Sequence, residues 1–128
     1  MSNKLDLCSG LNEAAQRIHA DAKQKGFWDS ERETGTLLML MVSELAEALE
    51  ADRHGRYANR TTFASNPDGN PEAEQFRSHI KNTLEDEMAD TMIRILDFCG
   101  AKGIDIEWHI NQKLAYNRTR EHRHGKAY

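Results

Sequence analysis

The chain has 128 residues, 38% of them apolar and 30% charged, with a formal net charge of −4. This is the size of one domain, and the negative balance argues against binding of a nucleic-acid polymer. Cys8 and Cys99 have no metal-site spacing and make no disulfide framework, and neither an apolar leader nor a run of membrane-spanning length is present, so we expect a cytoplasmic protein with no membrane partner.

In chain order, Leu11 to Lys25 places Ala14, Ile18 and Ala22 on one helical stripe, and Gly26 supplies the stop. Phe27-Trp28-Asp29 is a short connector. A second helix is predicted over about Glu33 to His54, closed by Gly55, with Leu37, Leu40, Met41, Glu44 and Ala48 on its inner stripe. Tyr57 to Glu72 holds Asn59, Ser65, Asn66, Pro67, Asp68, Gly69, Asn70 and Pro71, which is loop chemistry. A third helix is predicted from Pro71 or Glu72 to about Ala101, its apolar face made of Leu84, Met88, Thr91, Met92, Ile95 and Cys99, with Gly100 and Gly103 breaking it. Asp105 then caps a fourth helix running through Ile106, Ile110, Leu114 and Asn117 to about Glu121. With no β-alternation and no repeat, the expected fold is all-α, an antiparallel bundle of about four helices. The modest apolar supply predicts core shared between subunits, as in a dimer or a dimer of dimers.

Two acidic pairs carry the chemistry: Glu44-Leu-Ala-Glu47 and Glu87-Met-Ala-Asp90. Positions i and i+3 share a helix face, so each pair forms a two-carboxylate claw. Glu44 continues an apolar stripe, where a charge is costly unless it is paired or binds metal. Glu87 and Asp90 are less telling alone, because they continue through Arg94 and Asp97 as a solvated face would. A di-iron bundle would need Glu-x-x-His pairs, and none of Glu44, Glu47 or Glu87 is followed by histidine at that spacing. Oxygen-only ligands favour Mg²⁺ or Mn²⁺, and Mg²⁺ characteristically joins carboxylates to substrate phosphates. On the fourth helix Lys113, Asn117 and Arg120 are spaced to share a face, with His124 and Lys126 beyond. They would suit phosphate oxygens or simply complement the helix dipole. Trp28 suits either base stacking or anchoring of a helix junction, and His19 either a structural role or a ligand.

These residues together resemble a known family. Ser43-Glu44-Leu45-Ala46-Glu47, then Glu87-Met88-Ala89-Asp90, then Lys113-x-x-Tyr116-Asn117-x-x-Arg120-x-x-x-His124-Gly125-Lys126-x-Tyr128 are similar to MazG-like nucleoside triphosphate pyrophosphohydrolases, as is the opening Ile18-His19 to Gly26-Phe27-Trp28. The resemblance covers nearly all of the chain outside Arg56 to Lys81, a stretch that looks inserted. It implies a single all-α domain assembled as a homodimer or homotetramer, dependent on Mg²⁺ or Mn²⁺, which splits nucleoside triphosphates into monophosphate and pyrophosphate. It further implies Glu44, Glu47, Glu87 and Asp90 as metal ligands, and Lys113, Asn117, Arg120 and Lys126 as phosphate contacts. His19 and Trp28 would lie at the base or sugar. Glu44 or Glu47 would orient or deprotonate the attacking water. The family often has a further glutamate where this chain has Ser43, which leaves the identity of the base open. A phosphoribosyl-ATP-type pyrophosphatase and a non-catalytic nucleotide- or metal-binding protein are the alternatives.

Overall fold

The computed structural model describes residues 8–127, so Tyr128 of the C-terminal motif and the start of the segment read for a leader lie outside the described residues. The chain is all-α. Its helices are α1 (Leu11–Gln24), α2 (Thr34–Arg53), α3 (Arg60–Ser65), α4 (Glu72–His79), α5 (Leu84–Lys102) and α6 (Ile106–Asn117), followed by a short 3₁₀ turn, His122–Gly125. No described helix is long and apolar enough to cross a membrane. The chain divides into two compact units. One comprises the segment up to Asp29 together with that from Leu96 onward, and the other Ser30–Ile95.

In the first unit, α1 ends as predicted. The Gly26 amide bonds the Lys23 carbonyl at 3.1 Å and the Phe27 amide bonds that of Ala22 at 3.1 Å. This paired closure needs Gly26 in the left-handed region, at φ 89°. α1 packs on α6, and Asn12 ties the two: its side-chain amide donates to Asp105 at 2.8 Å and its backbone amide to Glu107 at 3.0 Å. Asp105 also caps α6 by accepting from the Trp108 amide. Gly100 does not break α5; Gly103, at φ 65°, does. Gly100 is instead a contact point, since a Cβ there would meet the Ala15 carbonyl oxygen at 2.6 Å and the His19 Cβ at 2.8 Å. α6 stops at Asn117, short of Glu121, so Arg120 lies beyond the helix. The Thr119 hydroxyl donates to the Tyr116 carbonyl, and the Thr119 and Arg120 amides close three-residue turns.

In the second unit, α2 turns Leu37, Glu44, Ala48 and Ala51 inward. The predicted third helix is two helices, and the 56–81 stretch carries α3 and α4 of its own. The interruption is built by Asn82 and Thr83. Asn82 takes a left-handed conformation at φ 64°, and its amide donates to Asp86 at 2.9 Å. Thr83 accepts from the Asp86 amide at 3.2 Å. This is a variant of the Ser/Thr-x-x-acid cap, and it restarts the helix without proline or glycine. Glu85, Asp86 and Glu87 then occupy the first turn, where the helix dipole favours negative charge.

The inner face of α5 differs from the predicted one. Thr91 and Cys99 are buried as expected, but Glu87 is buried with them, whereas Met88 and Met92 are exposed. On α2, Leu38, Val42, Leu45 and Leu49 are likewise exposed. One residue of each claw, Glu44 and Glu87, occupies an interior position, while these apolar side chains are turned outward.

Candidate metal centre

Within the second unit, α2 and α5 bring carboxylates together. Ligand oxygens of Glu44, Glu47 and Glu87 all lie within 4.8 Å of one another. So do those of Asp86, Glu87 and Asp90. The four predicted ligands therefore fall into two overlapping triads that share Glu87, and Asp86 joins a group in which sequence spacing had placed only Glu87 and Asp90. Its cue was present: Asp86 is one residue before Glu87 in the same helical turn.

Glu87 is the deepest of the set, at 5% exposed, against 8% for Glu44. Glu44 is buried as its place on the apolar stripe implied, and Glu87, which looked less telling alone, is buried with it. One Glu87 oxygen, Oε2, is buried without a hydrogen-bond partner. Burial, then hydrogen bonding with the Glu44 and Glu47 carboxylates and the charges of Glu47 and Asp90, push the Glu87 carboxyl up to about 7. For Glu44, burial alone would raise the pKa. The hydrogen bonds from Arg94, Glu87 and Glu47 outweigh it, and the group sits below its ordinary value. Arg94 Nε donates to Glu44 Oε1 at 2.8 Å. Asp90 is raised by burial and by the negative charges of Asp86 and Glu44, against the opposing pull of Arg94. The carboxyls of Glu44 and Glu87 are thus driven in opposite directions by the same cluster.

Arg94, read from sequence as part of a solvated face, is thus the charge partner of the buried glutamate. Ser43 takes no part: it is exposed and its hydroxyl donates to the Leu40 carbonyl at 2.7 Å. The arrangement fits a hard divalent cation. The donors are all oxygens, one buried oxygen has no partner, and a cation there would relieve the repulsion among the clustered carboxylates.

The remaining expected residues lie in the first unit. Lys113 and Arg120 gather around Tyr116, the Lys113 Nζ and Arg120 Cζ each 5.4 Å from its ring centroid. Asn117 Oδ1 is buried without a hydrogen-bond partner, and Lys126 is exposed. His19 and Trp28 meet edge to face with centroids 5.0 Å apart. Both are fixed by Asp97: His19 Nδ1 lies 2.8 Å from Oδ1, and Trp28 Nε1 donates to the two oxygens at 3.1 and 3.0 Å. Sequence reasoning missed Asp97. The spacing of Glu87, Asp90, Arg94 and Asp97 marks one helix face, but only the fold shows which partners that face meets.

No family model, curated protein or solved structure matches this chain.

Proposed function

We propose that this protein is a divalent-metal-dependent nucleoside triphosphate pyrophosphohydrolase, releasing a monophosphate and pyrophosphate. The observation that carries this is the convergence of Glu44, Glu47 and Glu87 oxygens within 4.8 Å around a buried oxygen of Glu87 that has no partner. The motif similarity to MazG-like enzymes in α2, α5 and the C-terminal segment points the same way. Glu44, Glu47, Glu87 and Asp90, with Asp86, would hold Mg²⁺ or Mn²⁺. When bound, such an ion neutralises phosphate charge and lowers the pKa of a coordinated water.

In this proposal Arg94 keeps Glu44 ionised and fixed, which suits it to ligation. Glu47 is exposed and is the better proton acceptor. It takes a proton from the water attacking the α-phosphorus; the new P–O bond forms as the bond to the leaving pyrophosphate breaks. The exposed stripe Leu38, Val42, Leu45 and Leu49 supports a homodimer or homotetramer, since contiguous apolar surface of this kind marks association sites.

The test is a panel of canonical and modified ribo- and deoxyribonucleoside triphosphates with Mg²⁺ or Mn²⁺, read for pyrophosphate and monophosphate. Metal-dependent release of pyrophosphate from at least one of them is expected. Release of orthophosphate alone, or no turnover of any, would remove the proposal.

A further inference from the structure

The inserted α3–α4 segment forms a cavity of about 760 Å³ beside the second carboxylate triad. Its volume falls within the roughly 300–1,000 Å³ typical of small-molecule sites. Phe63 from α3 and Phe76 from α4 line it, as do Arg77, Lys81, Asp86 and Asp90. Phe76 is 40% exposed, a large aromatic left partly open on a short helix.

The segment is held in place by specific bonds. Asn59 caps α3 through the Thr62 amide, and its own amide bonds the His79 carbonyl at 3.0 Å, joining the start of α3 to the end of α4. Asn66 closes the intervening loop onto Asn70 with two bonds. The Leu84 amide bonds the Arg56 carbonyl at 2.9 Å, and Arg56 in turn donates to the Asn82 carbonyl. Asn82, which also lines the cavity, therefore has its backbone fixed. These bonds fix the backbone that carries the lining side chains.

Its charges are arranged unusually. Arg77 and Lys81 share the cavity with Glu72, Asp86 and Asp90, yet neither cation forms an ion pair with any described residue. Asp86 instead accepts from the Asn82 amide. Aromatic walls, two uncommitted cations and a pair of carboxylates from a candidate metal triad call for a ligand with three matching parts. These are a flat π-surface, anionic oxygens, and a divalent cation carried on those oxygens. A metal-complexed nucleoside triphosphate has all three. An uncharged aromatic would leave the cations unused, and a bare polyphosphate would leave the phenylalanines unused.

We propose that this cavity is the nucleotide pocket: the base packs on Phe63 and Phe76, Arg77 and Lys81 bind phosphate oxygens, and the metal complex is received by Asp86, Glu87 and Asp90. The inserted segment is then the determinant of base choice. The inference rests on the pyrophosphohydrolase reading and adds the substrate's position to it.

The experiment is calorimetric titration of the full chain with α,β-imido analogues of dATP, dGTP, dCTP and dUTP in Mg²⁺. Inorganic tripolyphosphate serves as a ligand without a base, and Mn²⁺ alone is followed by electron paramagnetic resonance. Phe76→Ala should weaken the preferred analogue by about tenfold, the scale of one lost base–aromatic contact, while tripolyphosphate stays within about twofold. Phe76→Trp should retain affinity. The Arg77→Ala, Lys81→Ala double variant should weaken both ligands by about tenfold or more. Mn²⁺ affinity should be unchanged in every case. Ala73→Trp, which fills the cavity from an exposed position on α4, supplies the same test should Phe76→Ala fail to fold. Nucleotide affinity unaffected by both Phe76→Ala and Ala73→Trp, or a loss confined to Trp28→Ala, overturns the pocket and leaves the hydrolase reading standing. Wild-type protein that binds Mn²⁺ but none of the four analogues overturns the pocket, and the hydrolase reading falls with it only where the full triphosphate panel also releases no pyrophosphate.

Discussion

Replacing Glu87 with Gln tests whether burial and the neighbouring carboxylates hold this carboxyl above the ordinary range. The side chain keeps its shape, and its amide can donate to Glu44 and Glu47 as the protonated acid does. Glu87 titrates near 7 in the folded protein against an ordinary 4.5. Its folded pKa is raised, so its contribution to stability is fully present below about 4.5 and is lost as the pH climbs through 7. At about 1.36 kcal/mol per pH unit, forcing the ionised form into the native state costs roughly 3 kcal/mol. For a domain of this length that corresponds to a Tm difference of roughly 10 °C, and relaxation of the neighbouring carboxylates would reduce it to about 5 °C.

At pH 8 in EDTA, Glu87→Gln should therefore melt about 5–10 °C above wild type, and at pH 5 the two should nearly coincide. Added Mn²⁺ should reverse the order, because the ion displaces the proton of Glu87 and stabilises wild type in proportion to ln(1 + [Mn²⁺]/Kd). The variant, lacking one anionic ligand, should respond only at much higher concentration. Melting curves at equal protein concentration, followed by circular dichroism at pH 5 to 8 with and without Mn²⁺, make the comparison. A variant no more stable than wild type at pH 8, with the same response to Mn²⁺, would refute both the proton and the site.

Three further outcomes follow from the packing. Gly100→Ala should lower Tm although alanine favours a helix by about 1 kcal/mol, because its Cβ meets the Ala15 carbonyl oxygen at 2.6 Å; a higher melting temperature would show that α1 can retreat. Asp97→Ala removes the acceptor shared by His19 and Trp28 and should destabilise the protein by about 1–3 kcal/mol, with a changed near-ultraviolet tryptophan band; an unaltered band would mean that Asp97 does not hold the indole. Light scattering at micromolar concentration should give at least twice the chain mass of 14.6 kDa, and the Val42→Arg, Leu49→Arg variant should fall to one chain; a monomeric wild type would refute an interface on α2.

What the sequence determined is what depends on local spacing. The helical class, the inward direction of Glu44 on α2, the Gly26 stop of α1 and the Asp105 cap of α6 all follow from periodicity and terminal residues within a few positions of one another. Where those cues are weak or ambiguous, the local reading failed. Asn82-Thr83 interrupts a helix without glycine or proline, and Gly100, which resembles a break, is a place where two helices touch. The tertiary structure decided everything that joins distant positions: that Glu87 is the most buried carboxylate of its cluster, that Arg94 reaches across fifty residues to Glu44, that Asp97 holds both His19 and Trp28, and that α3 and α4 line a cavity with Asp86 and Asp90. A carboxylate's solvation and its charged neighbours are set by which helix faces which. Spacing along a single helix gives the direction of a side chain but not what it meets there.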